Sequence, residues 1–327
     1  MIAIKPFAEI LDADIGKDVL KKIEVVGRTC YKSTENITDD SAPKFVSNLI
    51  KRGHEAMLEH ASFCFLMEPM RFVELQIAIN SLERFGFKSF LRFTCDFHVY
   101  ERPLVSGNVR AWRDFMKAFK SEYHTLPNYM KSFVYENPIL FPEYQDPKNF
   151  SNSLTGSFVP FYIEDLKTKR EFLTHCDVTV RFVVDRGISH ELVRHRVASF
   201  AQESTRYCNY SKDKFGSQLT FIIPEFFSFG SKEWCLWKNH MERCELDYLT
   251  LIGIGVTPEK ARTILPNSLK TEVIMTANCS EWKHFFGLRA CNSTGKAHPQ
   301  MLEVSRPLLD DFKNTIGIIF DDLVYGE

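Results

Sequence analysis

The sequence has no CxxC pair, no glycine-rich phosphate loop of the GxGxxG or Walker type, and no GxSxG element. The common nucleotide-binding folds are therefore not indicated. It also has no uninterrupted apolar run near the ~20 residues that cross a bilayer, and no repeat or low-complexity segment. Net charge is nearly absent: 41 basic residues face 42 acidic ones, a formal balance of -1. Such a chain has no overall field to draw in a nucleic-acid backbone or an anionic membrane, so any basic cluster must act locally. The opening stretch, MIAIKPFAEILDADIGKDVL, carries neither an apolar signal core nor an Arg-rich presequence. The nine cysteines are an odd number, mostly in apolar or aromatic settings such as SFCFL and EWCLW. They read as buried thiols in a reducing compartment, and the expected location is cytoplasmic.

With 327 residues, 44% hydrophobic and 25% charged, the composition is that of a soluble globular protein able to bury a large core. Twenty-nine phenylalanines predict an aromatic-rich interior or large subunit contacts. IAIKPF reads as a strand, followed by a helix from about Asp14 with Leu20, Ile23 and Val26 on its apolar face. SAPKFVSNLIKRG reads as a second helix, with Pro43 in its first turn and Gly53 as its stop. HEAMLEH then precedes the strand-like SFCFLME. The stretch from about 67 to 176 has a different texture, and we expect a large, mostly helical insertion within a single catalytic domain spanning 1–327. Beyond it, DVTVRFVVDRG alternates like a strand ending in a turn at Asp185–Gly187, and Ser189 is the expected cap of a helix running through HELVRHR. A long helix from Lys232 to near Gly253 follows, then a short helix with Thr257 as its cap, the buried strand SLKTEVIMTAN, a helix capped by Ser280 and a last helix over AHPQMLEVSRPLLDDF. Strands and helices do not alternate regularly, so the expected fold class is α+β, a mixed or antiparallel central sheet flanked by helices.

Two places carry chemistry. RHRVASFAQESTRY, residues 194–207, opens with Arg194, His195 and Arg196 and closes with Glu203, Ser204, Thr205 and Arg206. On a helix Glu191, Arg194 and His195 share a face. Arg196 joins Arg194's side only if the chain has become extended. Guanidinium forks grip phosphate oxygens in pairs, and the amide, carboxylate and hydroxyls of QESTR suit a nucleoside monophosphate; a solvated basic helix end is the plainer alternative. In SEWKHFFGLR, Trp282, Phe285, Phe286 and Arg289 follow i, i+3, i+4, i+7, which places an arginine on an aromatic stripe that should face inward. A charge there needs a carboxylate or an anionic ligand. His284 and Asn278 lie nearby in sequence, and Arg262 precedes TILPNSL on a short helix. His54 and His60 match no zinc spacing, so no metal is expected. Cys208 is either a nucleophile beside the basic cluster or an inert thiol.

The segment RHRVASFAQES resembles the RHR-x7-S motif of the flavin-dependent thymidylate synthases. ARTILPNSLKTEVIMTAN, WKHFFGLR and AHPQM are similar to that family's C-terminal half in the same order, and GHEAMLEH and GRTCYKS to its N-terminal part. The resemblance covers roughly 1–65 and 177–320. It implies methylation of dUMP at C5, with methylenetetrahydrofolate as carbon donor, NADPH as reductant and FAD as mediator, in a homotetramer whose active sites several subunits share. It also implies no protein nucleophile, which leaves Cys208 without a catalytic part. Carried over by position, His54, Arg194, His195, Arg196, Gln202, Asn278 and His284 would contact FAD. Glu191, Arg194, Glu203, Ser204, Thr205, Arg206, Arg262 and Arg289 would surround dUMP, with Arg289 and Ser204 as the catalytic pair. The resemblance assigns Arg289 to stabilising the pyrimidine anion and Ser204 to orienting the nucleotide.

Three departures stand out, the first being the insertion near 67–176, about 110 residues that replace a direct strand continuation in compact members of that family. Gln202 replaces a common Glu. Ala56 stands where the family often has a hydroxyl against the flavin, a loss of about 1 kcal/mol in cofactor affinity. Two other functions are compatible with the residues: a nucleic-acid-binding protein using RHR with stacking aromatics, against which the neutral charge argues, and a flavin enzyme of the same fold acting on another pyrimidine nucleotide.

Overall fold

The computed structural model describes residues 1–11, 18–96, 101–124, 126, 128–145, 158–160, 162–211 and 218–326. The chain divides into two compact units. Unit 1 holds Met1–Asp14, Val25–Glu35 and Val178–Glu327, and unit 2 holds Ile15–Glu24 and Asn36–Asp177.

The N-terminal strand splits in two, β1 (Ile2–Ile4) and β2 (Phe7–Ile10), because Pro6 cannot donate to a ladder. The first helix, α1 (Val19–Tyr31), follows; its expected start at Asp14 lies outside the described residues. Unit 2 also holds α2 (Ser41–Lys51), where Gly53 takes φ +71, a left-handed value that suits glycine just beyond a helix end. A 3-10 turn at Glu55–His60 leads into β3 (Ser62–Met67), α3 (Pro69–Arg84), β4 (Arg92–Asp96) and β5 (Glu101–Asn108). Then come α4 (Val109–Tyr123), α5 (Asn128–Glu136), β6 (Phe158–Pro160) and α6 (Lys169–His175). The strands form one antiparallel sheet in the order β4-β5-β3-β6.

Among its described residues the segment 67–176 is mostly helical, with α3, α4, α5 and α6 beside the shorter strands β4, β5 and β6. Its β5 and β6 pair with β3, which precedes it. The phenylalanines explain themselves here. Phe65 packs edge-on to Trp112 at 5.5 Å and to Phe133 at 4.9 Å, and Phe133 meets Phe141 at 5.1 Å. Such offset pairs add to the area they bury. His175 is buried between the Thr94 and Ser106 hydroxyls, each 2.7 Å from one ring nitrogen.

Unit 1 resumes with β7 (Asp177–Asp185), α7 (Arg186–Leu192), β8 (Ala198–Gln202), β9 (Thr220–Ile222), α8 (Lys232–Gly253), the one-turn α9 (Pro258–Ala261), β10 (Lys270–Asn278), α10 (Cys279–Arg289) and α11 (Pro299–Ile316). Its main sheet has the order β2-β7-β10-β8, with β2 antiparallel to β7 and β8 antiparallel to β10, while β1 and β9 form a separate parallel pair. The fold class is α+β.

Two helix starts differ from expectation. Asp185, not Ser189, caps α7 by accepting from the Ile188 N–H at 2.7 Å, so the anticipated turn at 185–187 is the first turn of the helix. Ser189 is internal, donating to the Arg186 carbonyl at 2.8 Å, and the helix ends at Leu192, before RHR rather than through it. Asn278, not Ser280, caps α10: its side chain accepts from the Glu281 N–H at 2.9 Å because β10 runs straight into the helix. Thr257 stands at the N-cap of α9 as expected, with Pro258 in the first turn, although its hydroxyl makes no cap bond. All nine cysteines are free thiols, five of them buried and Cys235 exposed. Among the described residues no helix is long and apolar enough to cross a membrane.

Candidate functional site

Helix α7 ends at Leu192, and the RHR triplet lies in the turn between it and β8, where the Arg194 and His195 N–H groups donate to the Glu191 and Leu192 carbonyls at 3.4 and 3.2 Å. Arg194 and Arg196 are exposed, as are Val193 and Val197, while His195 between them is buried, at 5% exposed. Neither forms an ion pair among the described residues. His195 instead packs edge-on against Phe285 at 5.0 Å and near His284 at 6.0 Å.

The aromatic stripe of α10 behaves as the spacing predicts. Trp282, Phe285 and Phe286 are fully buried. Trp282 donates from its indole to the Val178 carbonyl at 3.0 Å, which ties α10 to β7. The stripe's next turn brings Arg289 to Glu191: Nη1 donates to Oε2 at 2.8 Å and Nη2 reaches the Glu191 carbonyl at 3.5 Å. The partner that a half-buried guanidinium requires is thus a carboxylate from α7. The third side of the fork, Nε, donates to His195 Nε2 at 3.4 Å. The backbone is held as well, since Ser305 on α11 donates to the Arg289 carbonyl at 2.7 Å.

These contacts set the state of His195. Burial, and then the neighbouring Arg289 cation and His284, lower its pKa to about 4, so it is a neutral ring near pH 7. With Arg289 donating to Nε2, the ring proton belongs on Nδ1, which lies 3.5 Å from Glu281 Oε1. Burial raises the Glu281 carboxyl, with His284 opposing it. His195, Glu281 and His284 bring ligand atoms within 4.8 Å of one another. A cation bound at Nδ1 would need that nitrogen deprotonated, which would put a proton on Nε2 facing the Arg289 N–H.

The other expected site residues fall into separate environments. Gln202 donates to the Ser189 and Thr271 hydroxyls at 3.0 and 3.2 Å. Glu203, one residue on, points to the opposite face of the strand. It is 2% exposed, accepts from Tyr210 at 2.9 Å through Oε1, and receives Lys270 at 2.9 Å through Oε2. Its carboxylate is thus engaged within the protein. Ser204 is anchored by its N–H to the Cys30 carbonyl at 3.0 Å, and its hydroxyl accepts from the Arg206 N–H at 3.3 Å. Thr205 is buried. Arg206 is exposed, loosely paired with Glu259 at 3.8 Å, with its guanidinium over the Tyr207 ring. Arg262 is exposed on the 3-10 turn Arg262–Ile264. Asn278 spends its side-chain oxygen on the α10 cap, and His284 is exposed. Cys208 is a buried thiol. His54 is exposed in unit 2, preceding the 3-10 turn, and Ala56 is exposed beside it.

The sequence reading missed Glu281, although its place three residues after the capping Asn278 and three before His284 marks it as sharing their face. It also missed the Lys32–Lys270–Glu272 cluster beside Glu203. The spacing of Lys270 and Glu272 on one face of β10 was the available signal.

Fold and site together define an α+β protein with a cationic, anion-ready surface at the junction of β8 and α10. The family described as thymidylate synthase complementing protein matches residues 10–80 and 146–315. The chain belongs to that family, and residues 81–145, in unit 2, fall outside the match. A flavin-dependent thymidylate synthase of Geobacter sulfurreducens is 40% identical over 139 residues, 42% of this chain and 57% of that protein. One from Pyrococcus furiosus is 39% identical over 126 residues, 38% of this chain and 50% of that protein. The chain spans about half the length of the curated relatives it matches. A crystal structure of a Helicobacter pylori flavin-dependent thymidylate synthase with FAD and dUMP aligns at TM-score 0.35 and 21% identity, covering 45% of this chain and 73% of that one, too weak a likeness to bear on the site.

Proposed function

We propose that the chain catalyses the reductive methylation of dUMP to dTMP, with methylenetetrahydrofolate as carbon donor, NADPH as reductant and FAD as mediator. The observation that carries this reading is the Glu191–Arg289–His195 junction, which fixes a guanidinium beside the RHR segment in a chain of this family. The residues present suit a flavin dinucleotide. Arg194 and Arg196 are exposed cations without ion-pair partners among the described residues, ready for phosphate oxygens. His195 and His284 offer flat faces beside Phe285. His54, Gln202 and Asn278 complete the proposed flavin set. When bound, the flavin supplies the electron transfer between NADPH and the one-carbon unit.

The chain's own residues do the rest. Uracil C5 is a poor nucleophile until negative charge develops on the ring. The Arg289 guanidinium acts as a fixed positive charge for the oxygen and nitrogen that take up that charge. Glu191 holds the guanidinium in place, and His195, being neutral, does not compete with it for the developing anion. Arg206 and Arg262 are the exposed cations available to the nucleotide phosphate, and Ser204 and Thr205 orient it beside Glu203. The same reading makes the protein a cytoplasmic homotetramer with shared active sites, needing neither nucleic acid nor membrane.

The test is an anaerobic reaction of the purified protein with FAD, methylenetetrahydrofolate, NADPH and dUMP, followed by mass spectrometry. dTMP formation and dUMP-dependent NADPH oxidation are expected. Absence of both, with the protein folded, refutes the proposal. Competition by cytosine and hydroxymethylated nucleotides against dUMP checks which pyrimidine is preferred.

A further inference from the structure

Helix α10 ends on Arg289, and the groups that hold its last turn come from elsewhere in unit 1. The final carbonyls of a helix have no partner within it, and a buried one left bare is costly. Here three successive carbonyls are answered one by one. Ser305 on α11 donates to the Arg289 carbonyl at 2.7 Å, Arg306 Nε to the Ala290 carbonyl at 3.2 Å, and the Gly326 N–H to the Cys291 carbonyl at 3.1 Å. Ser305 and Ala290 are fully buried, so water is a poor substitute for either bond.

Arg306 also ties the outer pieces together, because its Nη2 donates to the Gly326 carbonyl at 2.9 Å. Its guanidinium lies over the Tyr325 ring, 5.1 Å from the centroid. The segment beyond α11 is fastened along its length. Lys313 Nζ donates to the Leu323 carbonyl at 2.7 Å, and the Tyr325 hydroxyl donates to Asp310 Oδ1 at 2.5 Å. Lys283, on α10 itself, pairs with Asp322 at 2.6 Å. Glycine at 326 is what permits the close approach, since a Cβ there would run into the Cys291 carbonyl oxygen.

We propose that Arg306 is a positioning residue for the reaction, and that together with the strap Leu323–Gly326 it holds Arg289 where its charge is needed. The proposal rests on the reading of Arg289 as the fixed charge for the pyrimidine. A long side chain is fixed only when both of its ends are. Glu191 grips the guanidinium from α7, at 2.8 Å. The Cα end depends on the last turn of α10, and helix ends fray unless tied down. Arg306 and the strap supply the tie one and two residues beyond Arg289. Arg306 also sets a cation at the carbonyl end of α10, where the helix dipole favours it. These donors are aimed at backbone, so Arg306 acts through Arg289 rather than on the substrate. The gain is preorganisation: a charge already in place stabilises the developing anion without rearranging, and a misplacement of about 1 Å costs about a hundredfold in rate.

The test uses Arg306→Met, which keeps the stem and removes the fork, and Gly326→Ala, which displaces the strap without touching Arg306. Measured per bound flavin, each should lower kcat by about tenfold or more while the KM for dUMP stays within about twofold, the pattern of an interaction made in the transition state. In both, NMR titration should show the His195 pKa rising from about 4, because the Arg289 cation is the second cause that lowers it. Adding Arg306→Met to Arg289→Ala should give no further rise, since the guanidinium it positions is gone. An unmoved His195 pKa, an equal rise with and without Arg289, or a kcat within twofold of the unsubstituted protein overturns the proposal. Should Arg306→Met fail to fold by circular dichroism, Gly326→Ala decides alone. Failure of the unsubstituted protein to form dTMP would refute the assigned reaction and leave the His195 titration to decide the strap.

Discussion

Replacing Glu191 by glutamine tests whether Arg289 is held by charge or merely by packing. The pair is separated by 2.8 Å, with side chains 19% and 28% exposed. At an effective dielectric of about 20 the gross attraction of such a pair is about 6 kcal/mol. Desolvation of two half-buried ions removes much of it, and charge-assisted bonds in this setting contribute about 1.5–3 kcal/mol. Glutamine keeps an acceptor oxygen, so we expect Glu191→Gln to destabilise unit 1 by about 1–2 kcal/mol in urea unfolding. A double-mutant cycle with Arg289→Gln should give a coupling of about 1–2 kcal/mol, as contacting charged residues do. Arg289→Gln should also raise the His195 pKa above about 4, followed by NMR, but only part of the way to its ordinary value, because burial is the larger cause and Arg289 the second. If the reading of Arg289 as the fixed charge holds, kcat falls far more than KM rises in Glu191→Gln, and Arg289→Ala abolishes turnover while leaving bound flavin. A coupling below about 0.5 kcal/mol, within the additivity expected of independent sites, would refute the clamp. An unmoved His195 pKa would refute the contact that sets its tautomer.

Acid should weaken the protein through its buried histidines. Burial lowers both His195 and His175 to about 4 from the ordinary histidine value of 6.5. The unfolded chain therefore binds more protons between those limits, and stability is full above about 6.5 and falls as the pH drops toward about 4. We expect a loss of roughly 1–2 kcal/mol per histidine after solvent screening, read as a falling unfolding midpoint that flattens in His175→Gln. Asn278→Ala should cost about 1 kcal/mol through the lost α10 cap, with Asn278→Ser recovering most of it. A larger loss in flavin affinity than in stability would show that Asn278 also touches the cofactor. Arg194→Ala and Arg196→Ala, at exposed positions, should change stability by less than about 0.5 kcal/mol. Each should weaken FAD binding about tenfold or more in a fluorescence titration, the equivalent of one charge-assisted bond; undiminished binding would remove these arginines from the cofactor site.

Much of the arrangement was legible in the residues themselves. The stripe Trp282, Phe285, Phe286 had to face inward, since helical periodicity leaves it no other side, and Arg289 followed as a charge in need of a partner. Strand β10 and helices α8 and α11 likewise show in local pattern, because apolar spacing over nine or more residues encodes which face is buried. Helix starts were less readable. A cap is decided by which of several short polar side chains stands one turn before the first free N–H, and Asp185 and Asn278 took that place from Ser189 and Ser280 because the preceding strands end where they do. The carboxylate that answers Arg289 was the least readable of all. Glu191 lies 98 residues away in the chain, and nothing in local spacing chooses it over the other acids. Likewise Lys32 and Lys270 are neighbours only because β8, β10 and the end of α1 meet in one unit. Sequence alone thus determined which side chains must be buried and which could bear charge. Tertiary packing decided which charges face each other, since that depends on contacts between segments whose separation along the chain carries no local signal.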